Sequence, residues 1–464
     1  HYSQQGMGAA RPQQPAYTAP APVRQPSPSF DDLSAHEEII QPSSSSGKGK
    51  FLVVGLILIA ILGGVGWWMY ANSPASLFAE ANRFVELKEY QSAKEQLLLV
   101  IEKDKKFPGV HRVLGDVYWN LKDKDKAVKA YRKAVALKNS DGEAQLALGI
   151  LLKRDKDYSG AKSHLDTATS MLTDNPFAWM NLGEVLLRLG KHQDAANVLQ
   201  KAVQKFQKKK APPSSLAAAL NNMGSAFLLL AKARLQKESL VSANTIQLLD
   251  DAQKAFQKAV GLERNSGIYQ RNLGDTLSLQ ALQLQEDEER LREKLIAAER
   301  AYRQAAISNP GELGVANNHA LLLLRQERYE DALPLLKKAV AYTRAKVVDK
   351  QFGAQQAYRS VLYNLAFTLE KTDDQENAVS MYKRFLREAP NDTAGLSRLA
   401  MLYKKMRKRP EGLRLFLRLA GIYKSKSKIN EAIGAYKNAL RMRPKRNLKR
   451  RIRKILKRLK RLAP

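Results

Sequence analysis

Cysteine is absent from this sequence of 464 residues, and histidine is scarce, with six residues. The absence of cysteine excludes disulfides, zinc–thiolate sites and cysteine nucleophiles, although it does not decide the redox compartment. Four histidines in the repetitive part of the chain stand singly, without a second ligand at metal spacing, which favours surface or packing roles: His111, His164, His192 and His319. No pattern indicates a catalytic residue, a metal ligand or a cofactor, so we expect that the protein is not an enzyme.

Long uncharged runs are also rare, and the most hydrophobic of them lies near the N-terminus. The segment from Phe51 to Tyr70 carries no charge, and twenty residues at about 1.5 Å each cover the roughly 30 Å hydrocarbon core of a bilayer. The alternative is a cleaved secretory signal, which Lys48 and Lys50 would introduce, but such signals are shorter and lie at the chain start. We therefore predict a transmembrane helix over 51–71 in a single-pass membrane protein.

The charges beside this segment predict its orientation. Lys48 and Lys50 precede it, whereas the next cation is Arg83, and cations favour the cytoplasmic side. We expect a bacterial inner-membrane protein with a cytoplasmic N-terminus and residues 71–464 in the periplasm. The opposite orientation is the alternative, because the imbalance is only two residues. Residues 1–50, rich in Pro and Gln and without apolar periodicity, are predicted to be a disordered cytoplasmic tail.

Beyond residue 74 the apolar spacing is helical, and no run alternates as a half-buried strand does. Small residues recur at a constant interval of 34 residues: Ala81, Gly115, Gly149 and Gly183. Twelve residues after each comes an alanine, and four residues later comes a Leu or Tyr: Ala93 and Leu97, Ala127 and Tyr131, Ala161 and Leu165, Ala195 and Leu199. This pattern predicts a unit of two helices that is repeated without slippage.

The stretch "WMNLGEVLLRLGKHQDAANVLQKAV" resembles the tetratricopeptide repeat, with Trp179, Leu182 and Gly183 on a first helix and Ala195 and Leu199 on a second. A residue larger than Gly or Ala would push the two helices apart where they cross, at a cost of about 1 to 3 kcal/mol. The resemblance implies an all-α fold, a right-handed α-solenoid of about nine helix–turn–helix repeats behind the transmembrane helix.

The resemblance extends over residues 74–444, in two predicted halves, 74–210 and 214–444, separated by "QKKKAPPSS". Intervals of 28 residues from Gly224 to Ala252 and 24 from Gly274 to Ala298, where 12 is usual, predict extended helices. Near the end, Ala400 and Ala420 both resemble first-helix positions, so one second helix is expected to be missing between them.

An asparagine stands two residues before the small residue in five successive first helices: Asn181, Asn222, Asn272, Asn318 and Asn364. In tetratricopeptide arrays this helix lines a concave groove, and the resemblance implies an asparagine ladder that grips an extended partner peptide. A side-chain amide suits this task because it both donates and accepts hydrogen bonds. The alternative is that Asn is common at this position and satisfies helix ends across the hairpin.

Residues 445–464 are predicted to form a basic amphipathic helix, with no acidic residue and an apolar stripe at helical spacing: Leu448, Ile452, Ile455, Leu459 and Leu462. A terminal helix that caps the last repeat explains the stripe. It does not explain the charge, which predicts a surface for anionic lipid formed by Lys449, Arg450, Arg453, Lys457 and Arg461. Nucleic acid is not expected, because no aromatic residues are interleaved with the cations.

These observations together predict a membrane-anchored scaffold or adaptor that mediates protein–protein interactions in a bacterial cell-envelope assembly. Partner peptides would bind in the groove, and the membrane would hold residues 51–71. The alternative is a cytosol-facing membrane receptor, co-chaperone or RNA-associated protein with the same repeats.

Overall fold

The computed structural model describes residues 64–65, 67–137, 141–238, 241–284, 287–310, 314–348 and 353–462. All regular secondary structure in these residues is helical. The predicted tail over 1–50 lies outside them, and so does most of the predicted span over 51–71, of which residues 64–65 and 67–71 are described and helical.

Twenty helices follow from residue 74 onward within the described ranges. Their bounds are α1 Pro74–Glu86, α2 Tyr90–Lys103, α3 Val110–Asn120, α4 Lys124–Leu137, α5 Gly142–Arg154, α6 Tyr158–Met171, α7 Pro176–Arg188, α8 His192–Lys208, α9 Pro213–Leu235, α10 Ala243–Leu262, α11 Gly267–Ala281, α12 Glu288–Ser308, α13 Val315–Arg325, α14 Tyr329–Val348, α15 Ala354–Lys371, α16 Gln375–Glu388, α17 Thr393–Lys405, α18 Arg409–Ser425, α19 Ile429–Arg441 and α20 Arg446–Leu462.

The chain divides into two compact units, His1–Asn222 and Met223–Pro464, and the division lies within α9. In the first unit the helices pack as successive hairpins, α1 with α2, α3 with α4, α5 with α6 and α7 with α8. In the second unit α11 packs with α12, α13 with α14 and α15 with α16 in the same way. Odd-numbered helices up to α17 are therefore the first helices of their repeats.

The small residues of the first helices lie where two helices of a hairpin cross. A Cβ atom added to Gly115 would come within 2.6 Å of the Tyr131 ring, and one added to Gly274 within 2.9 Å of the Tyr302 ring. Three further glycines would likewise clash, at under 3.0 Å, with the large residue of the second helix: Gly149 with Leu165, Gly183 with Leu199, and Gly224 with Phe256. The predicted close approach of helices at these residues is confirmed.

The turn inside each hairpin of the first unit contains one residue with positive φ, again at an interval of 34 residues: Lys88 (61°), Lys122 (65°), Lys156 (65°) and Gly190 (73°). The left-handed conformation costs roughly 1 to 2 kcal/mol for a residue with a Cβ atom and little for glycine. The fourth turn is therefore the least strained of the four.

Extended helices distinguish the second unit. There α10, α12 and α14 have 20, 21 and 20 residues, whereas α2, α4 and α6 each have 14. The additional residues lengthen the helices at their ends and leave the crossings in place. The helices α10 and α12, which follow Gly224 and Gly274, are thus longer than the second helices of the first unit.

The helix expected to be missing between Ala400 and Ala420 is present and shared. Gly412 and Phe416 follow Ala400 at the usual second-helix spacing, and they lie on the same helix, α18, as Ala420. This helix packs against α17 on one side and α19 on the other, and Phe416 and Ala420 belong to one buried cluster. One helix thus completes one repeat and begins the next, which corrects the prediction of a missing helix.

Within the described residues one helix, Pro213–Leu235, is long and apolar enough to cross a membrane. Half of its apolar window is buried inside the protein, as in a core helix, so its composition is only weak evidence of a membrane span.

Candidate binding surfaces of the two units

The five predicted asparagines lie on consecutive first helices. Asn181 and Asn222 belong to the first unit, and Asn272, Asn318 and Asn364 belong to the second. Asn181 and Asn272 are only 6% and 9% exposed, whereas the other three are half-buried. Three of the five amides are therefore accessible to a ligand from solvent.

In the first unit a lysine and a carboxylate connect two asparagines. The Lys153 ammonium donates to the Asn181 Oδ1 atom and to the Glu184 carboxylate, both at 2.5 Å. The Asn181 amide also donates to the Phe177 carbonyl at 2.8 Å. The Asn222 amide donates to Glu184 at 2.8 Å. Hydrogen bonds thus run from α5 through α7 to Asn222 of α9.

In the second unit the first helices are connected by asparagine amides, where the first unit uses Lys153. The Asn364 amide donates to the Asn317 Oδ1 atom at 2.8 Å, and the Asn318 amide donates to the Asp275 carboxylate at 2.9 Å. Asn317 and Asn318 are linked at 3.5 Å. The Tyr302 hydroxyl also donates to Asp275, at 2.7 Å, and burial together with this carboxylate raises the pKa of Tyr302. A chain of side-chain hydrogen bonds therefore crosses α11, α13 and α15.

Each of the accessible amides keeps capacity for a ligand. A side-chain amide has two N–H donors and two acceptor lone pairs, and the bonds described above occupy one donor each of Asn222, Asn318 and Asn364. The acceptors are side chains of the preceding repeat, whereas Asn181 donates to the Phe177 carbonyl within its own helix. The amides thus connect first helices to one another, and the remaining N–H groups can serve a peptide backbone.

Sequence reasoning did not identify the acceptors Glu184 and Asp275. Each directly follows the crossing glycine of its helix, Gly183 or Gly274, so an acid at that repeat position is the signal that could have found them. Asp116 has the same position after Gly115.

Asp116 accepts from the Tyr131 hydroxyl at 2.5 Å and pairs with Arg112 at 3.1 Å. Burial raises the pKa of Asp116 to about 6, and the hydrogen bond from Tyr131 and the charge of Arg112 oppose this rise. Carboxylates at this repeat position are therefore held among packed helices, and the first unit contains two of them.

A cleft lies beside the second-unit network, lined by apolar side chains and a few polar ones, among them Val315, Asn317, His319, Lys338, Thr343 and Val361. It exists because α13 begins five residues before its small residue Ala320, whereas α15 begins twelve before Ala366. The additional turns of α15 have no counterpart on α13, which leaves space between them.

Three of the four single histidines contact neighbouring groups in the packed helices. His111 hydrogen-bonds the Lys105 carbonyl at 3.0 Å, and His164 bonds Gln145 at 2.7 Å. His319 is 7% exposed and stacks on Tyr302, and burial lowers its pKa. Within the described residues no group of three or more His, Cys, Asp or Glu side chains could hold a metal ion.

The terminal helix α20 covers the end of the second unit. Ile452, Leu456 and Leu459 are buried in one cluster with Ala439 and Met442 of the preceding segment. Of the predicted apolar stripe, Leu448 and Ile455 are half-buried and Leu462 is 67% exposed. Leu456, which the stripe omitted, is buried instead because the stripe is wider than the spacing implied. The five predicted lipid-binding cations are all exposed: Lys449, Arg450, Arg453, Lys457 and Arg461.

Comparison with known proteins agrees with this geometry. Models of the tetratricopeptide repeat match residues 113–141, 152–220, 292–346, 360–392 and 413–446. The chain is 26% identical to tetratricopeptide repeat protein 21A of Mus musculus over 324 residues. The matched region covers 68% of this chain and 23% of that relative. The chain therefore spans less than a quarter of the length of this curated relative.

Two solved structures match the chain at low sequence identity and with TM-scores below 0.5. A human IFIT1 dimer with m7Gppp-AAAA is 16% identical, with 82% of this chain and 85% of that chain covered and a TM-score of 0.46. YrrB, a TPR protein with an unusual peptide-binding site, is 19% identical, with 50% and 97% covered and a TM-score of 0.36. The family models and the murine relative support the tetratricopeptide repeat family for this chain.

Proposed function

We propose that this tetratricopeptide-repeat chain is a scaffold that binds extended segments of other proteins along the polar face of its first helices. It would hold partners in place and perform no chemistry of its own. Proteins that contain these repeats generally act through protein–protein interactions, and the family matches support this coarser statement.

The observation that carries the proposal is the hydrogen-bonded series of amides in the second unit. Asn318 and Asn364 are fixed by the side chains of neighbouring first helices, so their remaining N–H and C=O groups are oriented before a ligand arrives. Pre-orientation reduces the entropy lost on binding. The amides would bind the backbone of an extended peptide and so accept many sequences.

Selectivity would come from the cleft beside this network. Its apolar lining includes Val315 and Val361, and Asn317 belongs to both the cleft and the amide series. A peptide whose backbone contacts Asn318 would be in a position to insert one apolar side chain there. Burial of such a side chain contributes about 1.5 to 3 kcal/mol.

We further propose a bacterial cell-envelope setting, with residues 51–71 as the anchor and the array in the periplasm. The support is the bilayer-length uncharged segment and the two lysines before it. A single cysteine introduced at exposed Ser425, in a chain with no native cysteine, reports the side. Labelling by a membrane-impermeant maleimide in cells with only the outer membrane opened supports the periplasm. Labelling only after the inner membrane is opened would instead support the cytosol-facing alternative.

The binding proposal is tested with a peptide selected on the purified full chain from a random-peptide display library. We expect Asn318→Ala combined with Asn364→Ala to weaken the affinity for that peptide about tenfold, which corresponds to about 1.4 kcal/mol. Fluorescence polarisation of the labelled peptide measures the dissociation constant.

The matched control replaces Asn197 and Asn438, which lie on the second helices α8 and α19, with alanine. This double variant should bind the peptide as the unchanged chain does. Equal affinity of all three proteins would contradict the assignment of the binding surface to the first helices.

A further inference from the structure

The terminal helix Arg446–Leu462 carries ten cations and no carboxylate. All ten side chains are exposed, and within the described part of the chain none of them forms an ion pair with an acidic residue. We name these residues the terminal cationic face: Arg446, Lys449, Arg450, Arg451, Arg453, Lys454, Lys457, Arg458, Lys460 and Arg461.

The fold does not require this charge. The capping function is performed by Ile452, Leu456 and Leu459, which are buried against the preceding helices. A cap needs only a polar outer face, and like charges three and four residues apart on a helix repel one another. An external anion would relieve that repulsion.

The charge of the whole chain is concentrated at this end. Residues 393–464 contain 25 Lys and Arg residues but only Glu411 and Glu431 as acids, which accounts for 23 of the 33 net positive charges. A field of one sign over such a region attracts a large anionic partner from a distance and depends on ionic strength.

We propose that the terminal cationic face docks on a membrane surface rich in anionic phospholipid, by electrostatic adsorption without insertion. The helix cannot insert its apolar side, because the centre of that side, Ile452, Leu456 and Leu459, is already buried in the cap. An amphipathic membrane helix uses both faces, whereas here only the charged face is free. Binding should therefore depend on lipid charge and salt rather than on packing defects in the bilayer.

Two observations favour lipid over nucleic acid. Between residues 424 and 462 the chain has one aromatic residue, Tyr436, which is only 8% exposed, so no aromatic platform is available for stacking bases. At about 100° per residue the ten cations spread over roughly 200° of the helix circumference, which suits a broad surface of phosphates. A third argument, that residues 51–70 bring the chain to a bilayer, rests on the proposed function.

The test uses the full chain held in nanodiscs of phosphatidylcholine, with a fluorescent donor on a single cysteine at Asn447→Cys, an exposed position of the same helix. Vesicles with an acceptor lipid are then added, made either of phosphatidylcholine alone or of equal parts phosphatidylglycerol and phosphatidylcholine. We expect energy transfer with the anionic vesicles only. Transfer should vanish at about 1 M salt, where the Debye length is about 3 Å.

The glutamine variant replaces five cations of this face with glutamine: Lys449, Arg450, Arg453, Lys457 and Arg461. It should bind anionic vesicles about 100-fold more weakly than the unchanged chain. A matched control removes five exposed cations of the first unit, Lys103, Lys106, Lys129, Arg132 and Lys133, by the same change. This control should bind the vesicles within about twofold of the unchanged chain. A third variant replaces Arg450, Arg453 and Arg461 with lysine. It keeps the charge of the face and should bind anionic vesicles as the unchanged chain does.

Circular dichroism of the glutamine variant should show unchanged helix content, because the five side chains are exposed and unpaired. Equal transfer with neutral and anionic vesicles, or equal loss in the first-unit control, would overturn the proposal. Release of the chain from anionic vesicles by duplex RNA at the same phosphate concentration would also overturn the proposal. A chain found outside the nanodiscs would refute the anchor alone, since the vesicle measurement can still be made on it.

Discussion

The first unit keeps one interval of 34 residues between its repeats, whereas the second unit also has longer intervals that are not all equal. Ala81, Gly115, Gly149 and Gly183 are each 34 residues apart, but Gly224 and Gly274 are separated by 50. The crossings are nevertheless alike, since Gly183 lies against Leu199 and Gly274 against Tyr302. The repeat therefore constrains the crossing tightly and leaves helix length free.

The polar face of the first helices differs more between the units. The first unit connects its asparagines through the charged pair Lys153–Glu184, whereas the second uses Asn317 and Asn318 with Asp275. A charged pair at the surface is screened by salt, and neutral amides are not. The same repeat position thus takes part in two kinds of side-chain network, one with a charged pair and one with amides.

The largest expected effect comes from filling a crossing. Gly183→Leu would force its side chain against the fully buried Leu199, and we expect the free energy of unfolding of the first unit to fall by about 3 kcal/mol or more. All four tryptophans precede residue 223, so tryptophan fluorescence during chemical denaturation reports this unit.

Gly261→Leu in the second unit is the matched control. No atom lies within 4 Å of a Cβ atom at that helical position, so the change should leave stability equal or raise it by up to about 1 kcal/mol, as measured by circular dichroism. If Gly261→Leu lowered the free energy of unfolding as much as Gly183→Leu does, the destabilisation could not be attributed to the position of Gly183 in a helix crossing.

A smaller effect should separate the two polar networks. Asp275→Ala removes the acceptor of the buried Tyr302 hydroxyl, and we expect the free energy of unfolding of the second unit to fall by about 1 to 3 kcal/mol. Glu184→Ala removes a partner of Lys153, which keeps its bond to Asn181, so the first unit should lose less than about 1 kcal/mol.

Circular dichroism and tryptophan fluorescence during urea denaturation measure the two losses. Asp275→Asn keeps an acceptor oxygen and should recover most of the stability that the alanine variant loses. Equal losses for Asp275→Ala and Glu184→Ala would contradict the difference between the networks.

Sequence alone predicted the crossings because the steric requirement is local to one hairpin. Gly115 and Tyr131 are sixteen residues apart, and the same spacing relates Gly183 to Leu199. The shared helix α18 was missed because Gly412, rather than an alanine, occupies the second-helix position. Either small residue satisfies the crossing, so a search for alanine alone loses the repeat.

The hydrogen-bond partners of the asparagines could not be predicted in the same way. The bond from Asn222 to Glu184 spans 38 residues and that from Asn318 to Asp275 spans 43. The number of residues between donor and acceptor changes with the length of the repeat. The two partners can therefore be identified only from a structure in which neighbouring first helices pack side by side. Burial of Asn181 and Asn272 likewise depends on neighbouring repeats and has no local signal.

The central claim, that the first helices form the binding surface, is tested most directly by locating a bound peptide. A photo-reactive version of the selected peptide is cross-linked to the full chain, and the modified residues are identified by mass spectrometry. We expect cross-links in the second unit on Gly267–Ala281, Val315–Arg325 and Ala354–Lys371. Cross-links confined to second helices or to Arg446–Leu462 would contradict the claim.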